Sequence, residues 1–286
     1  MKLMKILILG AAGMAGHVVY WYLSQTNKYD IRNVVHATKL TEDSLLIDVT
    51  DREAVITVIE TVKPDVIINC IGILIKGSQI HPDNAIYINA YFPHFLKRLA
   101  DVVGAKLIHI STDCVFSGRQ GMYADNDFRD ADDIYGRSKA LGEIFSDKDL
   151  TIRTSIIGPE LKRYGEGLFH WFMSQRERVN GYTKVFWSGV TTLELAKAIE
   201  YSLDNDVTGL FQLSNGVRIS KYDLLVLFNE IFKRKLVIAP LETVQIDKSI
   251  KPSSNIAYNV PDYSTMIMDM LHWMKCHRDV YQIYMK

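Results

Sequence analysis

Thr112, Tyr135 and Lys139 have the types and spacing needed to move a proton at an oxygen atom. Tyr135 and Lys139 are four residues apart, so a helix would place both side chains on one face. A lysine ammonium beside a phenol stabilises the phenolate and lowers its pKa from about 10 toward neutrality. Such a tyrosine can give a proton to a developing alkoxide, while the Thr112 hydroxyl holds the same oxygen. Together these three side chains can interconvert a carbonyl and an alcohol if a hydride donor lies on the other side of the reacting carbon.

The beginning of the chain predicts where that hydride donor binds. An apolar run at 4–9, typical of a strand buried on both faces, leads into Gly10, Gly13 and Gly16, and an apolar helical stretch follows at 17–23. Strand, glycine turn and helix form the dinucleotide-binding arrangement. The glycines permit the tight turn, the approach of a pyrophosphate and close helix–strand packing, and the helix amides face the phosphates. The alternative is a turn of small residues without a ligand.

Several blocks in the same order resemble the extended short-chain dehydrogenase/reductase superfamily and, within it, the dTDP-4-dehydrorhamnose reductase family. The glycine spacing is G-x-x-G-x-x-G, and STD at 111–113 and YGRSK at 135–139 accompany it. The blocks at 46–51, 63–70, 107–118 and 152–155 extend the resemblance through most of the chain. The resemblance implies catalytic roles for Thr112, Tyr135 and Lys139 and substrate contacts for Asp113, Cys114 and Ser155. It implies that the cofactor touches Gly10, Gly13, Met14, Ala15, Gly16, Asp48, Val49, Cys70, Ile71, Gly72, Tyr135 and Lys139.

The end of the second predicted strand favours NADPH over NADH. Enzymes that prefer NAD usually place an acidic residue there, on the ribose 2′-hydroxyl. In this chain no Asp or Glu follows position 34 until Glu42, whereas Thr38 and Lys39 could accept a 2′-phosphate. The alternative is that Lys39 is a solvated loop lysine, which leaves NADH open as the cofactor.

Composition and charge are those of an ordinary globular protein. The 286 residues are 48% hydrophobic, and 33 basic side chains balance 33 acidic ones, so nothing points to a nucleic-acid or membrane-surface partner. We see no apolar run near the roughly 18 residues of a membrane span and no cleavable signal. Cysteines 70, 114 and 276 lack CxxC spacing, which favours reduced thiols in the cytoplasm and no metal site. A homodimer stays open.

The alternation of short apolar strands with helices predicts an α/β fold, a Rossmann-type doubly wound parallel sheet, over residues 1–155. We expect its strands at 4–9, 34–37, 66–71, 106–110 and 150–154, a helix at 51–62 capped by Thr50, and a solvated loop at 125–133. Residues 156–286 are predicted to form mainly a smaller α+β substrate domain, with segments returning to the Rossmann core. Its helices are expected at 165–178, 191–204, 220–233 and 262–275. Cofactor and substrate should meet in the cleft at the carboxyl ends of the strands.

The resemblance implies reduction of the 4-keto group of a nucleotide-linked 4-keto-6-deoxy sugar, for cell-surface polysaccharide precursors. Related dehydratases carry Glu where this chain has Cys114, and related 4-epimerases hold NAD, which the missing acidic residue disfavours. Cys114 and Ile156 stand where rhamnose-forming members carry Tyr and Trp, so the sugar is open. Arg218, Lys221, Lys248 and Lys251 are candidates for the diphosphate, and the nucleotide is open as well.

Two alternatives stay open beside simple reduction. Enzymes resembling GDP-fucose synthase join epimerisation to reduction and use a Cys near position 114 with a His early in the substrate domain. Cys114 and His170 could act as that acid/base pair. The second alternative is a non-catalytic, NADP-binding regulatory subunit, like the beta subunit of methionine adenosyltransferase.

Overall fold

A computed structural model describes residues 3–285, in which helices flank a central parallel sheet. The strands are β1 (Met4–Leu9), β2 (Tyr29–Val35), β3 (Leu45–Leu46), β4 (Val66–Asn69), β5 (Lys106–Ile110), β6 (Leu150–Arg153), β7 (Ile156–Ile157), β8 (Arg178–Tyr182), β9 (Val185–Trp187), β10 (Val190–Thr191), β11 (Gly209–Gln212), β12 (Ile219–Ser220), β13 (Val237–Leu241) and β14 (Ile246–Asp247). The α-helices are α1 (Met14–Gln25), α2 (Arg52–Val62), α3 (Ile75–Ile80), α4 (Pro82–Ala85), α5 (Phe92–Val103), α6 (Ile134–Leu141), α7 (Leu168–Ser174), α8 (Thr192–Asp204), α9 (Lys221–Ile231) and α10 (Tyr263–Cys276). A π-helical segment, Ile86–Tyr91, precedes α5, and short 3₁₀ turns lie at Asp113–Val115 and Gln282–Tyr284.

The central sheet has seven strands in the order β11-β6-β5-β4-β1-β2-β3, and every neighbouring pair is parallel. Read from the opposite edge, the first six strands are β3-β2-β1-β4-β5-β6. This is the 3-2-1-4-5-6 order of a doubly wound dinucleotide-binding fold. The predicted fold class is therefore confirmed. The order reverses between β1 and β4, which is where such sheets bind their ligands.

The part of the chain beyond residue 155 forms small sheets and also returns to the central one. β13 pairs with β8, β9 pairs with both β12 and β14, and β10 pairs with β7. β11, however, extends the central sheet beside β6, and α8 packs against α1. The boundary at residue 155 stays a prediction. Within residues 3–285 no helix is both long and apolar enough to cross a bilayer.

Several predicted element ends are wrong. The second strand begins at Tyr29 rather than 34, where it pairs with β1. In place of the helix expected at 165–178, the structure has the shorter α7, Leu168–Ser174. The cap of α2 is Asp51, whose carboxylate accepts the Ala54 N–H at 3.1 Å, and not Thr50. The Thr50 hydroxyl is already used, because it donates to Asp48 Oδ1 at 2.8 Å.

A buried ion pair joins the carboxyl ends of three central strands. Glu143 Oε1 and Oε2 accept from Arg153 Nε and a terminal guanidinium nitrogen at 2.8 and 2.7 Å. The Ser111 hydroxyl after β5 and Arg129 of the 125–133 loop donate to the same carboxylate. Arg153 also donates to Gln212 Oε1 of β11 at 2.8 Å. These contacts hold the loop and the strand end that precede the predicted catalytic residues.

Arg153→Met should lower the free energy of unfolding by roughly 3 kcal/mol, because it removes the main partner of a buried carboxylate. Urea denaturation at pH 7 measures this change. The control is Arg119→Met, since the Arg119–Asp132 pair at 2.9 Å is exposed and its loss should cost within about 0.5 kcal/mol. Similar small losses for both variants would contradict the structural role of Arg153.

Candidate active site

The glycine turn after β1 is built so closely that two of its glycines admit no side chain. Gly10 has φ +77°, and a Cβ there would lie 2.8 Å from Ile71 Cγ1. A Cβ on Gly16 would lie 2.2 Å from the Gly10 carbonyl oxygen. Gly13 has more room, with the Gly10 oxygen at 3.1 Å, and α1 begins directly after it without a side-chain cap. The free amides at the start of α1 form a site suited to an anion.

A cavity of about 860 Å³ lies at the carboxyl ends of β1, β4, β5 and β6. It joins the glycine turn to the residues predicted to reduce a carbonyl. The predicted site residues that line it are Gly13, Met14, Ala15, Cys70, Ile71, Gly72, Thr112, Cys114, Tyr135, Lys139 and Ser155. Gly10 and Gly16 shape the turn behind it. Asp113, Thr38, Lys39, Asp48 and Val49 are not part of its lining.

The side chains predicted to select NADPH lie at the surface beyond β2. Thr38 and Lys39 are exposed, and the Lys39 ammonium donates to the Glu42 carbonyl at 2.8 Å. Asp48 accepts both the N–H and the hydroxyl of Thr50, and Val49 is buried. A cation that holds only a backbone carbonyl at the surface is free to turn toward an anion, and the role of Lys39 in binding a 2′-phosphate stays a prediction.

Tyr135 and Lys139 lie one turn apart in α6, on the side of the cavity. Asp133 caps this helix by accepting the Gly136 N–H at 2.7 Å. A Cβ at Gly136 would lie only 2.2 Å from the Cys114 carbonyl oxygen, so the helix packs directly on the backbone that follows Thr112. This close approach places the phenol beside the threonine hydroxyl.

The loop after β5 orders the Thr112 side chain. Its Oγ1 accepts the Cys114 N–H at 3.1 Å and donates to Asp113 Oδ1 at 3.2 Å. The Lys139 ammonium donates to the Ile110 carbonyl at 2.7 Å, at the end of the same strand. The three residues predicted to be catalytic are therefore brought together.

The predicted lowering of the Tyr135 pKa is wrong for this structure. Burial raises the pKa of the phenol, with Cys114 and Asp113 acting in the same direction against the Thr112 hydroxyl. Burial also lowers the pKa of Lys139 to about 8, although Glu143 opposes it. Desolvation, which the sequence does not reveal, is the largest influence on the pKa of both groups. Tyr135 is thus a neutral phenol, suited to donate a proton.

Cys114 and His170 are not arranged as a proton-transfer pair. Burial, with the Asp113 charge adding to it, raises the pKa of the Cys114 thiol to about 12. His170 does not line the cavity; its Nδ1 lies 2.6 Å from the Tyr284 hydroxyl in the C-terminal turn. Cys114 is therefore a protonated wall of the cavity, and His170 has a partner elsewhere.

Lys221 differs from the other cations proposed for a diphosphate. Burial lowers its pKa to about 8, opposed by the nearby Asp113 and Cys114, and its Nζ lies 5.3 Å from the Trp187 ring centroid. By contrast, Arg218 pairs with Asp247, and Lys251 is exposed.

Two buried residues behind Lys139 were not predicted from the sequence. Asn69 ends β4, and His109 lies within β5 with its Nε2 3.4 Å from Lys139 Nζ. Both are fully buried. A signal existed, because each is a polar residue in a largely apolar strand and lies inside one of the blocks at 63–70 and 107–118.

Comparison with known proteins assigns the family. The sequence profile described as RmlD substrate binding domain matches residues 4–275. The chain belongs to this family. It is 29% identical to a dTDP-4-dehydrorhamnose reductase of Aggregatibacter actinomycetemcomitans over 157 residues, which are 53% of this chain and 51% of that protein. The chain thus spans about half the length of that relative.

Two solved structures share the fold over nearly the whole chain. A hypothetical dTDP-4-dehydrorhamnose reductase from Sulfolobus tokodaii is 27% identical, with a TM-score of 0.79 over 91% of this chain and 98% of that one. A dTDP-4-dehydrorhamnose reductase from Bacillus anthracis, in complex with NADP, is 22% identical, with a TM-score of 0.83 over 95% and 100%. The Rossmann-type architecture of this RmlD-family chain agrees with both.

The buried Lys139 predicts a change of stability with pH. Above about pH 8 the folded lysine has lost its proton, whereas an unfolded lysine keeps it up to about 10.4. The unfolded state then binds more protons, so stability rises with pH by about 1 kcal/mol between pH 8 and 9 through this group. Lys139→Met should remove that contribution from the urea midpoints relative to wild type.

The matched control is Lys275→Met, at an exposed position in the last turn of α10. It should keep the pH dependence of wild type. If both variants followed wild type between pH 8 and 9, the folded Lys139 would not have the lowered pKa.

Proposed function

We propose that this chain is an NADPH-dependent reductase that converts the 4-keto group of a nucleotide-linked 4-keto-6-deoxy sugar to an alcohol. One observation carries the proposal: a single cavity joins the glycine turn of α1 to Thr112, Tyr135 and Lys139. Membership of the RmlD family and the similarity to reductases support it.

The residues around the glycine turn fit a dinucleotide. The close contacts of Gly10 and Gly16 hold the turn, and the uncapped start of α1 offers its amides to a pyrophosphate. Met14, Ala15 and Cys70–Gly72 would form the walls toward the nicotinamide. When bound there, NADPH supplies the hydride that reduces the carbonyl carbon.

The chain's own residues complete the reaction at the oxygen. Tyr135, kept neutral by burial, donates its proton to the developing alkoxide, while the Thr112 hydroxyl turns from Asp113 Oδ1 and donates its hydrogen bond to the same oxygen. Lys139, one turn away, stabilises the phenolate that remains, and a proton from solvent restores the phenol. Because the Tyr135 phenol is protonated at rest, it can protonate the alkoxide that reduction produces, whereas oxidation would need the phenolate.

The side chains that line the cavity just after β5 and β6 are not aromatic. Cys114, Ser155 and Ile156 follow the ends of β5 and β6. Cys114 and Ile156 replace the aromatic residues expected in rhamnose-forming relatives. We infer that the cavity accepts a sugar with a bulkier substituent than rhamnose precursors carry.

Simple reduction is better supported than the alternatives. Epimerisation needs a base beside the ketone, and Cys114 is a thiol with a raised pKa while His170 bonds to Tyr284. A regulatory subunit would not need Thr112, Tyr135 and Lys139 together at one cavity.

The first prediction of this proposal concerns the cofactor. NADPH should bind more tightly than NADH, as measured by quenching of protein fluorescence. Lys39→Ala should weaken NADPH binding about tenfold by removing the cation for the 2′-phosphate, and should leave NADH binding unchanged. Gly13→Val should abolish binding of both, because its side chain fills the approach of the pyrophosphate.

The exposed Lys235→Ala is the control and should bind NADPH like wild type. Equal affinity of wild type for the two cofactors would refute the assignment of Lys39.

The second prediction concerns turnover. With dTDP-, UDP- and GDP-linked 4-keto-6-deoxyhexoses, at least one should cause loss of NADPH absorbance. Tyr135→Phe should lower kcat by about 10²–10⁴, the usual contribution of a positioned acid, and should still bind NADPH. The exposed Tyr182→Phe should keep full turnover. A Tyr135→Phe enzyme as fast as wild type would exclude the phenol as the proton donor.

A further inference from the structure

We propose that Asn69 and His109 are positioning residues that present an N–H to the Lys139 nitrogen and so favour its neutral amine form. The proposal rests on the function proposed above, because it assigns a proton-handling role to residues behind the same site. Neither residue touches the cavity. They act on Lys139 through a chain of hydrogen bonds in which each donor and acceptor is determined by its neighbour. The chain begins at the backbone N–H of Ile71.

The first link fixes the Asn69 amide. Its Oδ1 lies 3.1 Å from the backbone nitrogen of Ile71, and its Nδ2 lies 3.1 Å from His109 Nδ1. A backbone N–H can only donate, so the amide oxygen must face Ile71. The amide NH₂ therefore faces the histidine ring. The side chain is fully buried, so water does not offer an alternative partner.

The second link fixes the tautomer of His109. An amide NH₂ has no lone pair to offer, so Nδ1 must accept from Asn69 and a neutral ring carries its proton on Nε2. The ring is neutral because burial holds its pKa well below the ordinary value, with Lys139 and His94 acting in the same direction. Nε2–H thus faces Lys139 Nζ at 3.4 Å.

The third link concerns Lys139. One N–H of the lysine donates to the Ile110 carbonyl at 2.7 Å. On the side of His109, an ammonium would meet a second donor, whereas the amine can accept the Nε2–H. Glu143 from the segment after α6 and Cys70 after β4 favour the ammonium, and burial favours the amine more strongly. Tyr135, one turn earlier in α6, is neutral at rest.

This arrangement suits a lysine that returns protons to the site. After Tyr135 has protonated the substrate oxygen, its phenolate can take a proton from the Lys139 ammonium. The amine left behind accepts the hydrogen bond of His109 Nε2–H and recovers its proton from water. A lysine with an ordinary pKa would release that proton much more slowly at neutral pH.

Nuclear magnetic resonance of the whole chain tests the proposal without cofactor or substrate. In protein labelled with ¹⁵N-histidine, His109 should have its proton on Nε2 and a bare Nδ1 between pH 6 and 8. In protein labelled with ¹³C-lysine, the signals of Lys139 and Lys221 should both titrate near pH 8, and the Lys139 signal is the one that vanishes in Lys139→Arg. A proton on Nδ1 of His109 in wild type would overturn the proposal without any variant that might fail to fold.

Two variants of Asn69 distinguish the hydrogen-bond chain from Asn69 through His109 to Lys139 from a simple effect of charge. Asn69→Ala removes the donor without adding charge, and Asn69→Asp offers an acceptor in its place. Both should move the His109 proton to Nδ1, turn Nε2 into an acceptor and raise the Lys139 midpoint by about one pH unit, a tenfold gain in proton affinity. A rise in Asn69→Asp alone, with no change of tautomer, would mean a charge effect and overturn the proposal.

The control is Asn205→Asp, which makes the same substitution at an exposed residue after α8. It should leave the His109 tautomer and the Lys139 midpoint unchanged. In the active enzyme, the alkaline limb of kcat should shift with the Lys139 midpoint in the two Asn69 variants. Absence of turnover on every ketosugar would refute the proposed function but leave the tautomer and the lysine titration as independent results.

Discussion

The site depends on how closely α6 approaches two stretches of backbone. At one end, a side chain on Gly136 would lie 2.2 Å from the Cys114 carbonyl oxygen, and just beyond the other end a side chain on Gly142 would lie 1.9 Å from the Asn89 carbonyl oxygen. The helix is therefore wedged between the loop after β5 and the π-helical segment. Because both contacts are with backbone, neither can give way by a change of rotamer. The positions of Tyr135 and Lys139 follow from this wedge.

That close packing also sets the electrostatics. A helix pressed against the strand ends excludes water from the phenol, the lysine and the neighbouring thiols, and each group shifts toward its neutral form. The consequence is chemical as well as structural. Tyr135 stays a neutral phenol, and the Lys139 ammonium holds its proton less tightly than an exposed lysine does. The same packing that orders the site thus sets the protonation states of its groups.

The sequence predicted the parts of the site that depend on short-range geometry. The glycine turn, the Thr112 block and the Tyr135–Lys139 spacing each lie within one turn or one helix, so their local pattern is enough. The sign of the Tyr135 shift was wrong because desolvation depends on packing between distant segments. The hydrogen-bond partner of His170 could not be predicted from the sequence either, because that partner, Tyr284, lies more than a hundred residues away in the C-terminal turn. Asn69 and His109 meet across two strands, and no spacing in the sequence reports that contact.

The addition of β11 to the central sheet has a consequence for synthesis of the chain. β6 is completed on its outer edge only by residues 209–212, and Arg153 reaches Gln212 across that edge. A nascent chain that ends before residue 209 therefore presents an open β6 edge and an Arg153 guanidinium without all its partners. Since domains fold as units during translation, the central sheet gains its last strand only after residues 209–212 have been synthesised.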